Sequence, residues 1–355
     1  MTAARATGDV AAFSMSDKVI VVTGANAGLG LQLSLRLARM GAHVVMACRS
    51  LPRAEKAREG VRAEVPGART TVLPLDVAEP DSIRAFRARF ASQVGHLDIL
   101  INNAGIFGAP LSHNSAGHEL HFATNYLGPF ALTGTLLPLF RDHPGARIVS
   151  VGSLAHRYAR LSLTRINPEA GDYSHWKAYA MSKLALTVYT MELNRRLRER
   201  RSNIVALCAH PGMAPTDIVK NMPIASPKGA VGKWFNGMME RLIPTAAEAV
   251  KPIVHAACAE GVAGGDYYGP GGWLEIAGVP AKARLNACAS DEELARKLWS
   301  TSETLTGVSY LNAHAAPGTS GASEGLPSSD FLPQERLRVA SNERGACGGK
   351  AAEPR

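Results

Sequence analysis

The sequence predicts an α/β fold built on a doubly wound parallel sheet. Short β-branched runs such as KVIVVT (18–23) and AHVVMAC (42–48) are apolar throughout, which is typical of strands buried on both faces. These runs alternate with longer segments of helical character, the pattern of repeated β–α units. The chain has 355 residues, of which 46% are hydrophobic, so it contains enough apolar material for one large core.

The predicted elements follow one another as short apolar strands and longer amphipathic or charged helices. Strands are expected at 18–23, 42–48, 70–76, 97–103, 146–151 and 203–209, with a last strand near Tyr267. Helices are expected at 28–40, directly after a glycine-rich turn, at 52–64, from Pro80 and Asp81 onward, and at 117–140, 175–200, 245–260 and 291–305. The basic run RRLRERR ends the 175–200 helix, where cations complement the helix dipole.

Three segments fall outside this regular pattern. Residues 1–16 are expected to be a flexible leader, and 17–312 one domain. Within that domain, 213–243 mixes Met, Pro, Gly and Trp irregularly, which suits a mobile lid over a site. Residues 313–355 are rich in Gly, Ser, Pro and Ala and cannot bury enough apolar surface to order themselves, so a disordered tail is expected.

Composition excludes several classes of protein. No stretch approaches the roughly 20 apolar residues of a membrane span, and the first residues lack the apolar run of a secretory signal. The five cysteines are scattered and form no CxxC pair, which disfavours disulfides or zinc and favours a cytoplasmic location. The net charge of +9 is spread among acidic residues, so no nucleic-acid partner is expected.

A glycine-rich turn follows the first strand, with the sequence TGANAGLG (23–30). Between a strand and a helix, such a turn lets backbone N–H groups approach a pyrophosphate at the positive end of the helix. Gly24 permits the turn, and Gly28 and Gly30 are expected to remove side chains that would block a cofactor. The context of strand, turn and helix therefore predicts a dinucleotide site.

Tyr179 and Lys183 are four residues apart on a predicted helix and so lie on one face. A neighbouring ammonium stabilises a phenolate and makes a tyrosine a usable general acid or base. Tyr–Lys pairs are also common on helix surfaces. Here, however, a preceding strand leads to Ser153, whose hydroxyl could hold a reacting oxygen.

These motifs resemble the short-chain dehydrogenase/reductase superfamily over about residues 16–280. The turn has the spacing of the simple single-domain branch, and NNAG (102–105) matches the segment after the fourth strand. Asn125, Ser153, Tyr179 and Lys183 match the catalytic tetrad, although Gly152 stands where the family often has serine. The resemblance implies a Rossmann-type sheet with a nicotinamide cofactor bound by Gly24, Asn26, Gly28, Leu29, Gly30, Asp76, Val77, Asn103, Ala104, Gly105, Tyr179, Lys183, Pro211, Gly212 and Thr216.

The same resemblance implies the chemistry. Hydride passes between the nicotinamide and a carbonyl carbon while Tyr179 gives or takes the proton. Lys183 lowers the pKa of Tyr179 and binds the nicotinamide ribose, Ser153 fixes the substrate oxygen, and Asn125 helps hold a water. No metal is required.

The end of the second strand indicates the choice of cofactor. An acidic residue there would accept hydrogen bonds from the ribose hydroxyls and repel a 2′-phosphate. This chain has Cys48 and Arg49 instead, with Arg53 and Lys56 further along the helix. Arg49 can pair with a phosphate through its planar fork, so NADP(H) is expected.

Several histidines and aromatic residues are further candidates for site residues. His113, His118 and His121 could suggest a metal, but no carboxylate or cysteine completes a plausible set. His156, Tyr173, Trp176 and His210 are candidates for the substrate pocket. Trp176 could equally pack the start of its helix, and Met238 and Met239 are expected to fill the core of the lid.

The expected function is that of an NADP(H)-dependent oxidoreductase. It would interconvert a carbonyl and an alcohol on a hydrophobic or polycyclic small molecule. The segments ACR (47–49), SLAH (153–156) and GGDYYGPGG (264–272) resemble a retinol-dehydrogenase-like and protochlorophyllide-reductase-like subgroup. The alternatives are a C=C bond reductase and a non-catalytic nucleotide sensor or scaffold, which would not need both Tyr179 and Ser153. Members of this superfamily often pair through helices, so a homodimer is a possible assembly.

Overall fold

A computed structural model describes residues 14–213 and 244–312 of the chain. The predicted tail, most of the predicted lid, and the leader up to residue 13 lie outside these residues. Thr216, Met238 and Met239 also lie outside them.

The described residues form one eight-stranded sheet in the order β3-β2-β1-β4-β5-β6-β7-β8. Strands β1 to β7 pair with one another in parallel, and β8 pairs antiparallel with β7. Their bounds are β1 Val19–Thr23, β2 His43–Cys48, β3 Thr70–Pro74, β4 Ile99–Asn102, β5 Arg147–Val151, β6 Val205–Ala209, β7 Tyr267–Pro270 and β8 Pro280–Lys282. The order reverses direction between β1 and β4, so a crevice is expected at their carboxyl ends.

The helices lie on both faces of this sheet, which confirms the predicted doubly wound fold. They are α1 Gly28–Arg39, α2 Leu51–Glu64, α3 Pro80–Gln93, α4 Leu120–Phe122, α5 Gly128–Leu136, α6 His175–Glu199, α7 Ala246–Ala249, α8 Lys251–Cys258 and α9 Glu292–Thr306. One buried cluster includes residues of α3, α5, α6 and α9, and the other includes residues of α1, α2 and α8.

The helix predicted at 117–140 is interrupted. Its middle, Ala123–Leu127, is a π-helical turn between α4 and α5, and its end, Leu137–Leu139, is a 3-10 turn. Gly128 begins α5 directly against the chain after β3: a Cβ there would lie 2.1 Å from the Val77 carbonyl oxygen. The interrupted helix therefore passes close to the carboxyl end of the sheet.

Strand β8 was not predicted, since PAK (280–282) has neither length nor apolar alternation to mark it. In the part of the chain that the structure describes, no helix is both long and apolar enough to cross a membrane.

Candidate active site

The glycine-rich turn joins β1 to α1 at the carboxyl end of the sheet. Gly24 and Gly28 have φ angles of +66° and +51°, in the left-handed region that favours glycine. A Cβ on Gly28 would have no atom within 4 Å, so this side of the turn is open. The turn therefore exposes backbone where a phosphate group could approach.

The start of α1 fits an anionic group. Its N-cap residue, Ala27, makes no side-chain hydrogen bond to the helix, and the first turn holds no acidic residue. An anion there would meet free N–H groups and the positive end of the helix dipole. Asn26 and Leu29, two of the predicted contacts, lie partly exposed on the same turn.

Gly30 has a packing role that the sequence did not indicate. A Cβ at this position would lie 2.1 Å from the Gly24 carbonyl oxygen and 2.7 Å from Asn103 Nδ2. The missing side chain thus lets α1 pack onto the turn, and its nearest neighbours are protein atoms. That Gly30 also clears space for a cofactor stays a prediction.

The NNAG segment ties the end of β4 to the end of β1. The Asn103 side-chain amide donates to the Thr23 carbonyl oxygen at 2.8 Å. The backbone N–H groups of Asn103 and Ala104 both donate to the Thr23 hydroxyl at 2.9 Å. These bonds fix the two central strand ends side by side, where the crevice begins.

Asn125 lies in the π-helical turn and is fully buried. Its Oδ1 accepts from the Ile106 N–H at 2.8 Å, and its Nδ2 donates to the Ile106 carbonyl oxygen and the Ser182 hydroxyl, each at 3.0 Å. Ser182 in turn donates to the Tyr179 carbonyl oxygen at 2.7 Å. Asn125 therefore connects the end of β4 to α6, and π turns of this kind recur at functional sites.

Lys183 reaches the same cluster from α6. Its Nζ donates to the Val151 carbonyl oxygen at 2.8 Å. A Cβ on Gly105 would lie 3.0 Å from Asn125 Oδ1 and 3.4 Å from Lys183 Nζ, so a side chain at Gly105 would crowd both. Burial lowers the pKa of Lys183 to about 8, because an ammonium away from water is costly.

Tyr179 is 3% exposed and faces Ser153. Burial raises the pKa of Tyr179 to about 12, while a hydrogen bond with the Ser153 side chain partly opposes this rise. Ser153 Oγ also accepts from the Ala155 N–H at 3.2 Å. The structure thus brings the four predicted tetrad residues together, and in this state the Tyr179 hydroxyl is held protonated.

The rings of Phe107 and Trp176 form an aromatic wall together with the ring of Tyr179. The Phe107 ring stands edge-on to Tyr179 at 4.9 Å and to Trp176 at 6.2 Å between centroids. Trp176 is 37% exposed, so part of its ring faces solvent. This wall offers an apolar surface directly beside the candidate catalytic group.

The other predicted pocket residues are placed differently. The Tyr173 hydroxyl donates to the Ala109 carbonyl oxygen at 2.8 Å and lies 3.2 Å from His121 Nδ1, so it ties the two loops on either side of the site. His156 and His210 have no exposed surface. These two histidines therefore lie beneath the site and do not line it, which corrects their predicted place in the pocket.

At the far end of the crevice, Arg49 follows β2. Its side chain is largely exposed, and its Nη1 lies 3.6 Å from Asp76 Oδ2. The buried Cys48 thiol accepts hydrogen bonds from the backbone of Ala25 and Asn26 in the glycine-rich turn, and burial raises its pKa to about 11. The Arg49 guanidinium is thus exposed at the end of β2, beside the Asp76 carboxylate.

Pro211 and Gly212 follow β6 on the opposite side of the crevice. Gly212 has a φ of +74°, and a Cβ there would lie 2.2 Å from the Ile276 carbonyl oxygen. Its N–H donates to His210 Nδ1 at 3.1 Å. Only a glycine fits this turn, which ends beside the loop between β7 and β8.

Sequence reasoning missed how this loop meets the Ser153 side of the site. Tyr267 of β7 packs against Gly152, and Glu275 binds Arg157 and His210. The segment GGDYYGPGG indicates only a resemblance, because nothing in a single sequence shows which distant residues it contacts.

His118 and His121, two of the three candidate metal ligands, have other partners. His121 Nδ1 lies 2.8 Å from Glu119 Oε1, and His118 Nε2 lies 3.1 Å from the Leu305 carbonyl oxygen. Within residues 14–213 and 244–312, no group of three or more His, Cys, Asp or Glu side chains is arranged to hold a metal ion.

Comparison with known proteins gives consistent matches. The short chain dehydrogenase family model matches residues 18–226. Human retinol dehydrogenase 13 is 34% identical over 307 residues, covering 84% of this chain and 88% of the relative. A solved structure of an uncharacterized protein from Mycobacterium paratuberculosis is 34% identical, with a TM-score of 0.69, covering 85% of this chain and 98% of that one. A blue fluorescent protein from a metagenomic library, solved with NADPH, is 25% identical, with a TM-score of 0.54, covering 72% and 96%.

Proposed function

Because the chain belongs to the short-chain dehydrogenase family, we propose that it is an NADP(H)-dependent oxidoreductase that interconverts a carbonyl and an alcohol on a hydrophobic small molecule. The observation that carries this proposal is the meeting of Tyr179, Ser153, Lys183 and Asn125 beside an apolar aromatic wall. A nucleotide sensor would need the glycine-rich turn but not this buried set of proton-handling groups.

The residues present fit a nicotinamide dinucleotide. The open side of Gly28 and the uncapped start of α1 suit the pyrophosphate. Gly105, Pro211 and Gly212 would flank the nicotinamide end, and Asp76 and Val77 the adenine. When bound, the cofactor supplies or accepts the hydride. Thr216, the remaining predicted contact, keeps its role as a prediction.

We assign the proton to Tyr179. In the reducing direction the Tyr179 hydroxyl donates its proton to the substrate oxygen as negative charge develops there, and in the reverse direction the phenolate takes it back. The Ser153 hydroxyl donates a hydrogen bond to the same oxygen and so holds it within reach of Tyr179.

Lys183 and Asn125 support this proton transfer. An ammonium at Lys183, one helical turn along α6, would stabilise the Tyr179 phenolate once the proton has left. Because the pKa of Lys183 is itself about 8, this group can also exchange a proton near neutral pH. Asn125 fixes the π turn against α6 and so holds Lys183 at its place.

Arg49 supports the preference for NADP(H). It lies at the end of β2, where it would meet a 2′-phosphate, and a guanidinium pairs with phosphate through two parallel hydrogen bonds. The Asp76 carboxylate, 3.6 Å away, holds the guanidinium on this side of the crevice. One solved relative was also crystallised with NADPH.

The substrate is proposed to be apolar and at least partly planar. The edge-on wall of Phe107, Trp176 and Tyr179 would bury a conjugated or ring-containing group next to the reacting oxygen. The relatives named as retinol dehydrogenases act on an apolar alcohol, in agreement with this choice. A homodimer and a cytoplasmic location remain proposals from the sequence.

Turnover of a substrate panel tests the proposed function. The purified protein is mixed with NADPH and aldehydes or ketones that increase in apolar size, and NADPH absorbance is followed. Large apolar carbonyls should give the highest kcat/KM, and NADH should support less turnover. Reduction of enones only at the C=C bond would favour the C=C reductase, and cofactor binding without any turnover would favour a sensor.

A further inference from the structure

Two buried histidines flank the ring of Tyr267, directly beneath the candidate active site. His156 follows Ser153 in a 3-10 turn, and His210 precedes Gly212 at the end of β6. Their rings lie 5.1 Å and 5.3 Å from the Tyr267 ring, between centroids, and neither histidine is exposed. The proposed function gives neither of them a role.

The hydrogen bonds of His156 fix its tautomer. Its Nδ1 lies 2.6 Å from the Ser153 carbonyl oxygen, which can only accept, so Nδ1 carries the hydrogen. Burial lowers the pKa of His156 to about 4, so the ring is neutral near pH 7 and Nε2 bears a lone pair. Among the described residues, that Nε2 is buried without a hydrogen-bond partner. The same Nδ1 also lies 3.4 Å from the Tyr267 hydroxyl, which can only accept from this tautomer. The shorter of the two polar contacts of the ring therefore goes to Ser153.

His210 has the opposite tautomer. Its Nδ1 accepts from the Gly212 N–H at 3.1 Å, so its hydrogen must be on Nε2, which donates to Glu275 Oε2 at 2.9 Å. Burial lowers the pKa of His210 as well, which keeps the ring neutral. These hydrogen bonds hold the Gly212 turn, which lies next to the proposed position of the nicotinamide ring.

Glu275 and Arg157 join the two histidines. The Arg157 guanidinium, on the residue after His156, forms an ion pair with the Glu275 carboxylate. Glu275 has a φ of +57°, and its carboxylate also accepts from the Arg284 N–H at 3.3 Å. A residue other than glycine keeps such a backbone only when its surroundings hold it there, and such strain clusters at functional sites.

We propose that His156 is a positioning residue for Ser153. His210 and Glu275 hold the Gly212 turn, and the ion pair of Glu275 with Arg157 fixes the position of this turn relative to Ser153. The inference rests on the proposed function, because Ser153 and Gly212 matter only if they face substrate and cofactor. His156 closes the 3-10 turn after Ser153, whose extended backbone (φ −157°, ψ 150°) presents its hydroxyl to Tyr179. The network thus sets the distance between the oxygen that reacts and the ring that exchanges the hydride.

The first test needs no turnover. Long-range ¹⁵N–¹H spectra of the histidine-labelled protein, assigned with the variants His156→Asn and His210→Asn, report which ring nitrogen is protonated. At about pH 7 we expect neutral rings with the hydrogen on Nδ1 of His156 and on Nε2 of His210. The opposite tautomers, or a charged ring at either position, would overturn the proposal.

The second test is a double-mutant cycle between His156 and Ser153. His156→Leu should lower kcat about tenfold, the effect of losing one hydrogen bond between neutral groups, and leave the Kd of NADPH unchanged. His156→Asn should restore most of kcat, because its side-chain amide can donate from nearly the same place. In a Ser153→Ala background, His156→Leu should have no further effect on the residual kcat. Additive losses in the cycle would instead show a general structural role and overturn the proposal.

His255 supplies the matched control. Its ring stands edge-on to Tyr268, the neighbour of Tyr267 on β7, at 4.8 Å, and it lies on α8. His255→Leu removes a comparable His–Tyr contact and should leave kcat within about twofold of wild type. If wild type turns over no substrate although both tautomers are as expected, the proposed function fails while the network stands.

Discussion

The ring of Tyr267 occupies the space that a side chain at position 152 would need. A Cβ on Gly152 would lie 2.9 Å from the Tyr267 hydroxyl oxygen and 3.1 Å from both the Cys208 sulfur and Tyr267 Cε2. The family often has serine at this position, so glycine here and tyrosine on β7 are matched to each other. This contact lies one residue before Ser153.

Gly152→Ser should therefore destabilise the protein. Overpacking of a filled core costs about 1–3 kcal/mol, so the melting temperature should fall measurably. Adding Tyr267→Phe removes the closest atom and should recover part of this loss. Gly60→Ala is the control: its Cβ would have no neighbour within 4 Å in α2, and it should be neutral or stabilise by up to about 1 kcal/mol. An unchanged melting temperature for Gly152→Ser would show that the Tyr267 ring can move away.

Tyr179→Phe should lower turnover at least about a hundredfold, since it removes the proton that general acid catalysis transfers. The ring and its contact with Phe107 remain, so the Kd of NADPH, measured by fluorescence, should stay close to that of wild type. Tyr158→Phe, at a side chain that is 79% exposed, should change neither quantity. Near-normal turnover in Tyr179→Phe would reject the assigned mechanism.

Arg49→Ala should weaken NADPH far more than NADH. A charge-assisted hydrogen bond is worth roughly 1.5–3 kcal/mol, which corresponds to about tenfold to a hundred-and-fiftyfold in Kd. NADH has no 2′-phosphate, so its Kd should hardly change. Arg58→Ala is the control: it removes a guanidinium that pairs with Glu55 on α2, and it should leave both dissociation constants unchanged. Equal weakening of both cofactors would mean that Arg49 is structural.

Cys48→Asp, added to Arg49→Ala, should reverse the preference. The Cys48 thiol already accepts from the backbone of Ala25 and Asn26, so a carboxylate at this place would keep these donors. It would also accept from the free ribose hydroxyls of NADH and repel a 2′-phosphate. The measurement is the Kd of NADPH and the Kd of NADH for the double variant. A double variant that still prefers NADPH would contradict this explanation of specificity.

Lys183 should make the stability of the cofactor-free protein depend on pH. Its pKa is lowered from 10.5 to about 8, so between these values the unfolded chain binds the proton that the folded chain has lost. Stability therefore rises with pH through this window, and the cost of the buried ammonium is fully present below it. The melting temperature of wild type relative to Lys183→Met should increase from about pH 7 to about pH 10. Buried tyrosines and cysteines that do not interact with Lys183 titrate in both proteins and cancel. A difference that does not vary with pH would contradict the prediction.

The sequence by itself determined the features that local periodicity and short motifs encode. Apolar β-branched runs predicted β1 to β6 within a few residues, and TGANAGLG placed the turn at the start of α1. The spacing of Tyr179 and Lys183 put both on one face of α6, because four residues make about one helical turn. These predictions succeeded since each depends on neighbours along the chain.

Only the tertiary structure decided how distant segments meet. The packing role of Gly30 against Asn103, the match of Gly152 to Tyr267, the π turn at Asn125 and the burial of His156 and His210 have no local pattern. Strand β8 likewise depends on its pairing with β7 rather than on its own residues. Each of these features arises from close packing between elements far apart in sequence, where a single atom in the wrong place is costly. A residue's type shows what it can bind, but its partner is set only when the chain has folded around it.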